Sequence, residues 1–203
     1  MTAPNQNHLL KLRGLLLGLL LIVPSVASAH PETNTLGGFI AGVRHPLTGL
    51  DHIVAMVAVG LWGAYLGAPA IWLLPVIFPL VMALGGAVGV LVGEPSSAVE
   101  AGIAISGIVL GLMVATAARP PLWIAAVIVG FFAVFHGYSH GVELPHLANP
   151  FTYAAGFVMA TGLLHLTGIS LGLLTKWPWG KVVVRGLGGV IMVIGGAFLF
   201  GFL

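Results

Sequence analysis

Six long apolar windows follow one another along the chain, each cut off from the next by Pro, Gly or one of the few charged residues. They fall at about 46–67, 71–92, 98–118, 121–140, 151–174 and 181–203, each close to the ~20 residues an α-helix needs to cross the hydrocarbon of a bilayer. The pattern predicts an all-α integral membrane protein, a six-helix transmembrane bundle forming a single domain over 30–203. A shorter apolar piece at about 36–43 cannot cross alone, and an interfacial or re-entrant turn is expected there. Nearer the start, Lys11 and Arg13 precede the apolar run GLLLGLLLIV, Pro24 breaks it, and Ala27-Ser28-Ala29 fits a signal-peptidase site. Residues 1–29 therefore read as a cleavable signal peptide, with an uncleaved anchor as the alternative. Cleavage after Ala29 would put His30 at the mature N-terminus, outside the cytoplasm.

Composition agrees with the windows. Of 203 residues, 59% are hydrophobic and 6% charged, with a mean hydropathy of +1.11, whereas soluble domains carry roughly a quarter charged residues. There is no cysteine, so no disulfide framework and no thiolate metal site is available. The net charge of +2 comes from seven Lys and Arg against five Asp and Glu, with no basic patch that would engage nucleic acid. The cations encode topology instead. With the mature start outside, Arg119, Lys176, Lys181 and Arg185 fall at inner connections and only Arg44 lies outside, as the positive-inside rule requires. This places the chain in a bacterial inner membrane with both mature termini outside.

Against this apolar background two polar stretches stand out, RHPLTGLDHI at residues 44–53 and FHGYSHGVE at residues 135–143. His136 and His140 are four apart and share a helical face, and Glu143 would join them if the helix continued. His45 and His52 are seven apart, with Asp51 beside His52. On the topology above, the carboxylates of the mature chain and six of its seven histidines lie at the outer side, with His165 about 21 Å into the fifth window. Ionisable groups at such depth cost roughly 2.5 to 3.5 kcal/mol for a central Asp, and a bound divalent cation would compensate a cluster of them. Each residue has a plainer reading. His165 reads equally as a hydrogen-bond partner between helices or as part of a pathway. His146, between Pro145 and Pro150, reads as solvated, and Glu94 as part of an outer turn. Glu100 reads as a first-turn acid of its helix or as a ligand. Gly107/Gly111, Gly137/Gly141 and Gly168/Gly172, each at four-residue spacing, predict close helix contacts.

The two polar stretches resemble the signatures of the HupE/UreJ family of nickel permeases, associated with hydrogenase and urease maturation. The match rests on His45-x5-Asp51-His52 and on Phe135-His136-Gly137-x-x-His140-Gly141-x-Glu143, and the resemblance extends across the mature chain. The first stretch is also similar to an RH-DH element of the broader nickel/cobalt transporters, which have four residues between His and Asp rather than five. The resemblance implies import of nickel or cobalt, carried by His45, Asp51, His52, His136, His140 and Glu143. His30, His165 and Glu100 are added as weaker candidate ligands.

A mixed imidazole and carboxylate set suits Ni(II) or Co(II) on chemical grounds as well, and the scattered methionines argue against a Cu(I) site. The transported ion is the expected partner, together with the lipid bilayer, and no prosthetic group is expected. Coupling to protons, to a partner subunit or to a periplasmic metal donor stays open. No G-x4-G-K-[ST] phosphate loop appears, so a transporter rather than an ATPase is expected. Two other readings are a metal sensor or metallochaperone, which binds without flux, and an intramembrane zinc hydrolase. The second lacks HExxH, since Gly137, Tyr138 and Ser139 separate His136 from His140.

Overall fold

The computed structural model describes residues 35–144 and 149–203. The signal-peptide reading, His30 and His146 lie outside them. The described residues form α-helices, one short 3-10 turn and no strand. The helices are α1 (Thr35–Thr48), α2 (Leu50–Leu66), α3 (Ala70–Val92), α4 (Ser97–Ala115), α5 (Leu122–Val142), α6 (Pro150–Gly172) and α7 (Pro178–Leu199), with the 3-10 turn Leu173–Lys176 extending α6. Five of these, α3 to α7, are long and apolar enough to cross a membrane. Helices α1 and α2 meet at a bend of 82° and, taken as one broken crossing, would make a sixth. The outward faces of the long helices carry large exposed apolar side chains, such as Leu84 and Leu91 of α3 and Val182 and Val193 of α7, a surface that suits lipid and not water.

The 82° bend between α1 and α2 is compatible with the interfacial or re-entrant turn expected before the first window, but the helix expected to start near residue 46 begins at Leu50. Helix α1 instead runs through Pro46 to Thr48. Three local causes converge. Pro46 has no N–H to give the Gly42 carbonyl. The Thr48 hydroxyl donates back to the His45 carbonyl (2.8 Å), offering the backbone an alternative to another helical turn. Gly49 is extended (φ −91°, ψ 112°) and serves as the N-cap of α2. A Cβ at Gly49 would lie 2.9 Å from both Asp51 Oδ1 and His52 Nδ1, so the break also leaves room for those side chains.

Helix direction sorts the charges. The C-terminus of α4, the N-terminus of α5, the C-terminus of α6 and the N-terminus of α7 share one end with Arg119, Lys176, Lys181 and Arg185. Side chains tie that end together. Arg185 Nε donates to the Ala115 carbonyl (2.8 Å) and Trp62 Nε1 to the Ala118 carbonyl (3.0 Å), satisfying carbonyls that the end of α4 leaves free. Arg119 lies over the Tyr65 ring, 4.8 Å from its centroid. Asp51, Glu94, Glu100 and Glu143 gather at the opposite end, with His45, His52 and His140.

The helices pack in close pairs: α3 with α5, α4 with α7, and α6 with both α1 and α2. Glycine makes each seam. Gly137 and Gly141 of α5 lie against the Met82 and Gly86 carbonyls of α3, while Gly85 and Gly89 of α3 lie against the Val134 and Tyr138 carbonyls in return. Gly107 and Gly111 meet α7 at Gly195 and Met192, and Gly168 and Gly172 meet α2 at Gly60 and Leu61. Backbones approach this closely only where no Cβ intervenes. Because Gly137 and Gly141 alternate with His136 and His140, the α3 seam fixes the direction in which the two imidazoles project. Gly137→Val should force α3 and α5 apart and destabilise the protein by about 1 to 3 kcal/mol. Gly189→Ala, where a Cβ meets nothing within 4 Å, should leave stability unchanged. Thermal unfolding of the two detergent-purified variants checks the contrast.

Candidate metal centre

Three helix ends deliver the polar residues to one place. His45 ends α1, Asp51 and His52 open α2, and His136 and His140 lie in the last two turns of α5, with Glu143 as its C-cap. Helix α5 stops at Val142, but the Glu143 N–H still donates to the Ser139 carbonyl (2.9 Å), so Glu143 stays on the face of His136 and His140 and its carboxylate reaches the cluster. Its Oε2 accepts from His45 Nε2 (3.0 Å) and its Oε1 from Ser139 Oγ (3.2 Å), with His140 Nδ1 at 4.0 Å. His45, His140 and Glu143 each offer one ligand atom, all within 4.8 Å of one another. The hydrogen bond from His45 holds the half-exposed Glu143 carboxyl below its ordinary pKa, so it stays anionic well into acid.

Inward of this triad the imidazoles continue. The His140 ring lies 4.8 Å from that of His45 and 4.3 Å from that of His52, and His52 lies 5.1 Å from His136. The outer residues Glu143 and His45 are partly exposed, His140 and His52 are nearly closed off (7% and 9%), and His136 is fully buried. Two hydrogen bonds fix which nitrogen is open. His52 Nδ1 donates to Asp51 Oδ1 (2.9 Å), and His136 Nδ1 donates to the Phe132 carbonyl (3.0 Å). Each leaves Nε2 as the nitrogen with the lone pair, and neither Nε2 has a hydrogen-bond partner. Both His140 nitrogens are likewise buried without a hydrogen bond. An imidazole held at Nδ1 by a carboxylate or carbonyl and open at Nε2 is the arrangement of a metal-binding histidine. Asp51 thus serves first to orient His52, and it sits where the N-terminal end of α2 favours an anion.

Beside this line lies a cavity of about 450 Å³ whose lining includes Asp51, His52, Glu100, Ser139 and Glu143. A six-water shell around a cation occupies roughly 180 Å³ at ~30 Å³ per water, so the space admits an ion still hydrated. Glu100, in the first turn of α4, joins the other two acids at this wall. Glu94 stays apart, its backbone carbonyl accepting from Tyr138 Oη (2.9 Å). His165 lies deeper, 5.5 Å from the Phe78 ring, which is itself 5.4 Å from His136. Of the residues singled out in the sequence, the structure brings His45, Asp51, His52, His136, His140 and Glu143 together, sets Glu100 at the adjoining cavity, and separates His165 from them by Phe78.

Sequence reasoning missed the aromatic wall. Phe157 lies 4.4 Å from His140, with Tyr153 6.0 Å from His45. The available signal was the four-residue spacing of Tyr153, Phe157, Thr161 and His165, which puts all four on one face of α6. Phe78 was marked by its position between Pro75 and Pro79 of α3.

Long apolar helices with an apolar outer surface, enclosing buried imidazoles with open lone pairs and a group of carboxylates at one end, define a multi-pass helical membrane protein. The HupE / UreJ protein family model matches residues 17–198, and the chain belongs to that family. It is 45% identical over 181 residues to "Protein HupE" of Rhizobium leguminosarum bv. viciae, covering 89% of this chain and 94% of that one. No solved structure matches it.

The Glu143 carboxyl, held below its ordinary pKa by the His45 hydrogen bond, keeps its negative charge beside the outer triad at neutral pH. Glu143→Gln removes that charge and should weaken Co(II) binding by about tenfold or more in titration calorimetry at neutral pH.

Proposed function

We propose that this chain is a permease that imports a divalent transition-metal ion, Ni(II) or Co(II), for maturation of a hydrogenase or urease. The observation that carries this reading is the unbroken line of imidazoles from the His45, His140 and Glu143 triad through His52 to His136, with open nitrogens and falling exposure. A catalytic metal site holds its ion in one fixed set of protein ligands, with a position left open for water or substrate. A row of overlapping partial sets suits an ion that moves from one to the next.

In this reading the bent α1 and α2 pair forms one broken crossing, making six, with the acidic end outside a bacterial inner membrane and the cationic end inside. Hydrated ion collects in the cavity bounded by Asp51, Glu100 and Glu143. His45 and Glu143 exchange their mutual hydrogen bond for the ion, the His45 Nε2 proton passing to water or being replaced by one on Nδ1 so that the Nε2 lone pair is free, and His140 supplies the third ligand of the outer triad. Transfer inward to His52 and His136 replaces coordinated water with imidazole nitrogen. Asp51 supports that step by keeping the His52 lone pair on Nε2 and by partly neutralising the ion. The membrane potential would favour entry by about 2.3 kcal/mol per unit charge per 100 mV.

Uptake of radioactive nickel into proteoliposomes holding the purified chain tests the proposal, with cobalt and zinc as competitors. Saturable uptake is expected, reduced by about tenfold or more in Asp51→Ala, His52→Ala and His136→Ala. Binding without any flux would overturn the permease reading in favour of a sensor or metallochaperone.

A further inference from the structure

Tyr153, Phe157, Thr161 and His165 occupy one face of α6 at intervals of about 6 Å, and all four are buried. The upper part of this face borders the outer cluster through Phe157 and His140. Two turns further in, about 12 Å along the axis, His165 meets the edge of Phe78. The fully buried Phe78 ring also meets His136 edge-on, so it stands between the innermost imidazole of the outer cluster and His165.

The region beyond Phe78 is not a plain apolar core. His165 is 2% exposed and Thr161 not at all, yet His165 Nε2 and Thr161 Oγ1 have no hydrogen-bond partner. The Thr161 hydroxyl is unusual within its own helix. Thr167 and Ser170 donate to the Leu163 and Leu166 carbonyls four residues back (2.9 and 2.8 Å), the ordinary refuge of a hydroxyl in an apolar helix. An unmade hydrogen bond costs about 1 to 3 kcal/mol for each buried group. Two such groups one helical turn apart, a nitrogen and an oxygen with free lone pairs, form a small donor set. Opposite them, Pro75 and Pro79 bracket Phe78 in α3, and the carbonyls of Ile71 and Pro75 lack their helical N–H donors.

We propose that His165 and Thr161 form a second, inner station for a divalent transition-metal ion, on the far side of Phe78 from the outer cluster. The proposal rests on the permease reading and extends it. The outer cluster offers several imidazoles and carboxylates, whereas the inner pair offers one imidazole nitrogen and one hydroxyl oxygen, leaving most of the coordination sphere to water. Imidazole suits Ni(II) and Co(II), and the sparse, uncharged set makes the station the weaker of the two. Passage requires that order, since an ion must leave the last site it occupies.

The test compares proteoliposome nickel uptake with equilibrium nickel binding in His165→Ala, His165→Phe, His165→Cys and Thr161→Val of the full chain. His165→Ala and His165→Phe should lower initial uptake by about tenfold or more, while affinity at the outer cluster stays within about twofold. His165→Cys, which restores a ligand but not the ring, should recover much of the flux, and Thr161→Val should lower uptake several-fold. A packing role for His165 predicts the reverse order, with Phe tolerated and Cys impaired, and that order overturns the proposal. Unchanged uptake by His165→Ala overturns it too. A wild-type chain that binds nickel without transporting it defeats the permease reading alone, and the visible absorption of Co(II) then decides the station. In a His45→Ala/His140→Ala chain, a Co(II) band that disappears on adding His165→Ala supports the station, and absence of any His165-dependent band overturns it.

Discussion

The structure depends on keeping imidazole nitrogens buried with their lone pairs open. His52, His136, His140 and His165 each hold at least one such nitrogen, and each unmade hydrogen bond costs about 1 to 3 kcal/mol. Summed, these approach the 5 to 15 kcal/mol by which a domain of ordinary stability is folded. The surrounding helices must therefore hold the rings in place without help from the rings themselves. Glycine seams do this by bringing backbone against backbone, α5 on α3 and α2 on α6. A cation bound among the imidazoles would supply the partners that the polypeptide withholds, so occupied and empty proteins should differ in stability as well as in content.

The broken pair α1 and α2 solves a geometric problem that a continuous helix could not. In one straight helix His45 and His52 would lie about 10.5 Å apart along the axis. The break at Gly49 instead sets His45 beside Glu143 at the surface and lets His52 reach across to His140 and His136. His140 is the residue both arms share, within contact of His45 on one side and His52 on the other. It is also the one whose two nitrogens are both without a hydrogen bond, which leaves it free to present either.

Much of this could be read from the sequence because the membrane imposes a simple rule. Apolar windows near 20 residues announce helices, and the all-helical architecture follows. His136 and His140 at four-residue spacing, and Asp51 beside His52, already marked residues that the structure brings together. What the sequence did not disclose was the path of the chain at residues 44–53. Pro46, Thr48 and Gly49 each weaken a helix at this point, and the sequence does not say which of them ends it, so the survival of α1 through Pro46 to Thr48 had to be seen. Phe78, Phe157 and Thr161 were hidden for a different reason. In a chain rich in apolar residues, an aromatic that lines a pathway has the same appearance as one that fills a core, and only the neighbouring imidazoles distinguish them.

On the permease reading, the glycine seams have a consequence for selectivity. Contacts between main chains do not depend on which side chains project elsewhere from the same helices, so the scaffold and the ligands are separable parts. The identity of the residue at position 52, 136 or 140 can change while the frame that carries it keeps its spacing. A lineage, or a designer, could retune the preferred ion by exchanging donor atoms one at a time, with the architecture acting as a fixed socket for interchangeable coordination chemistry.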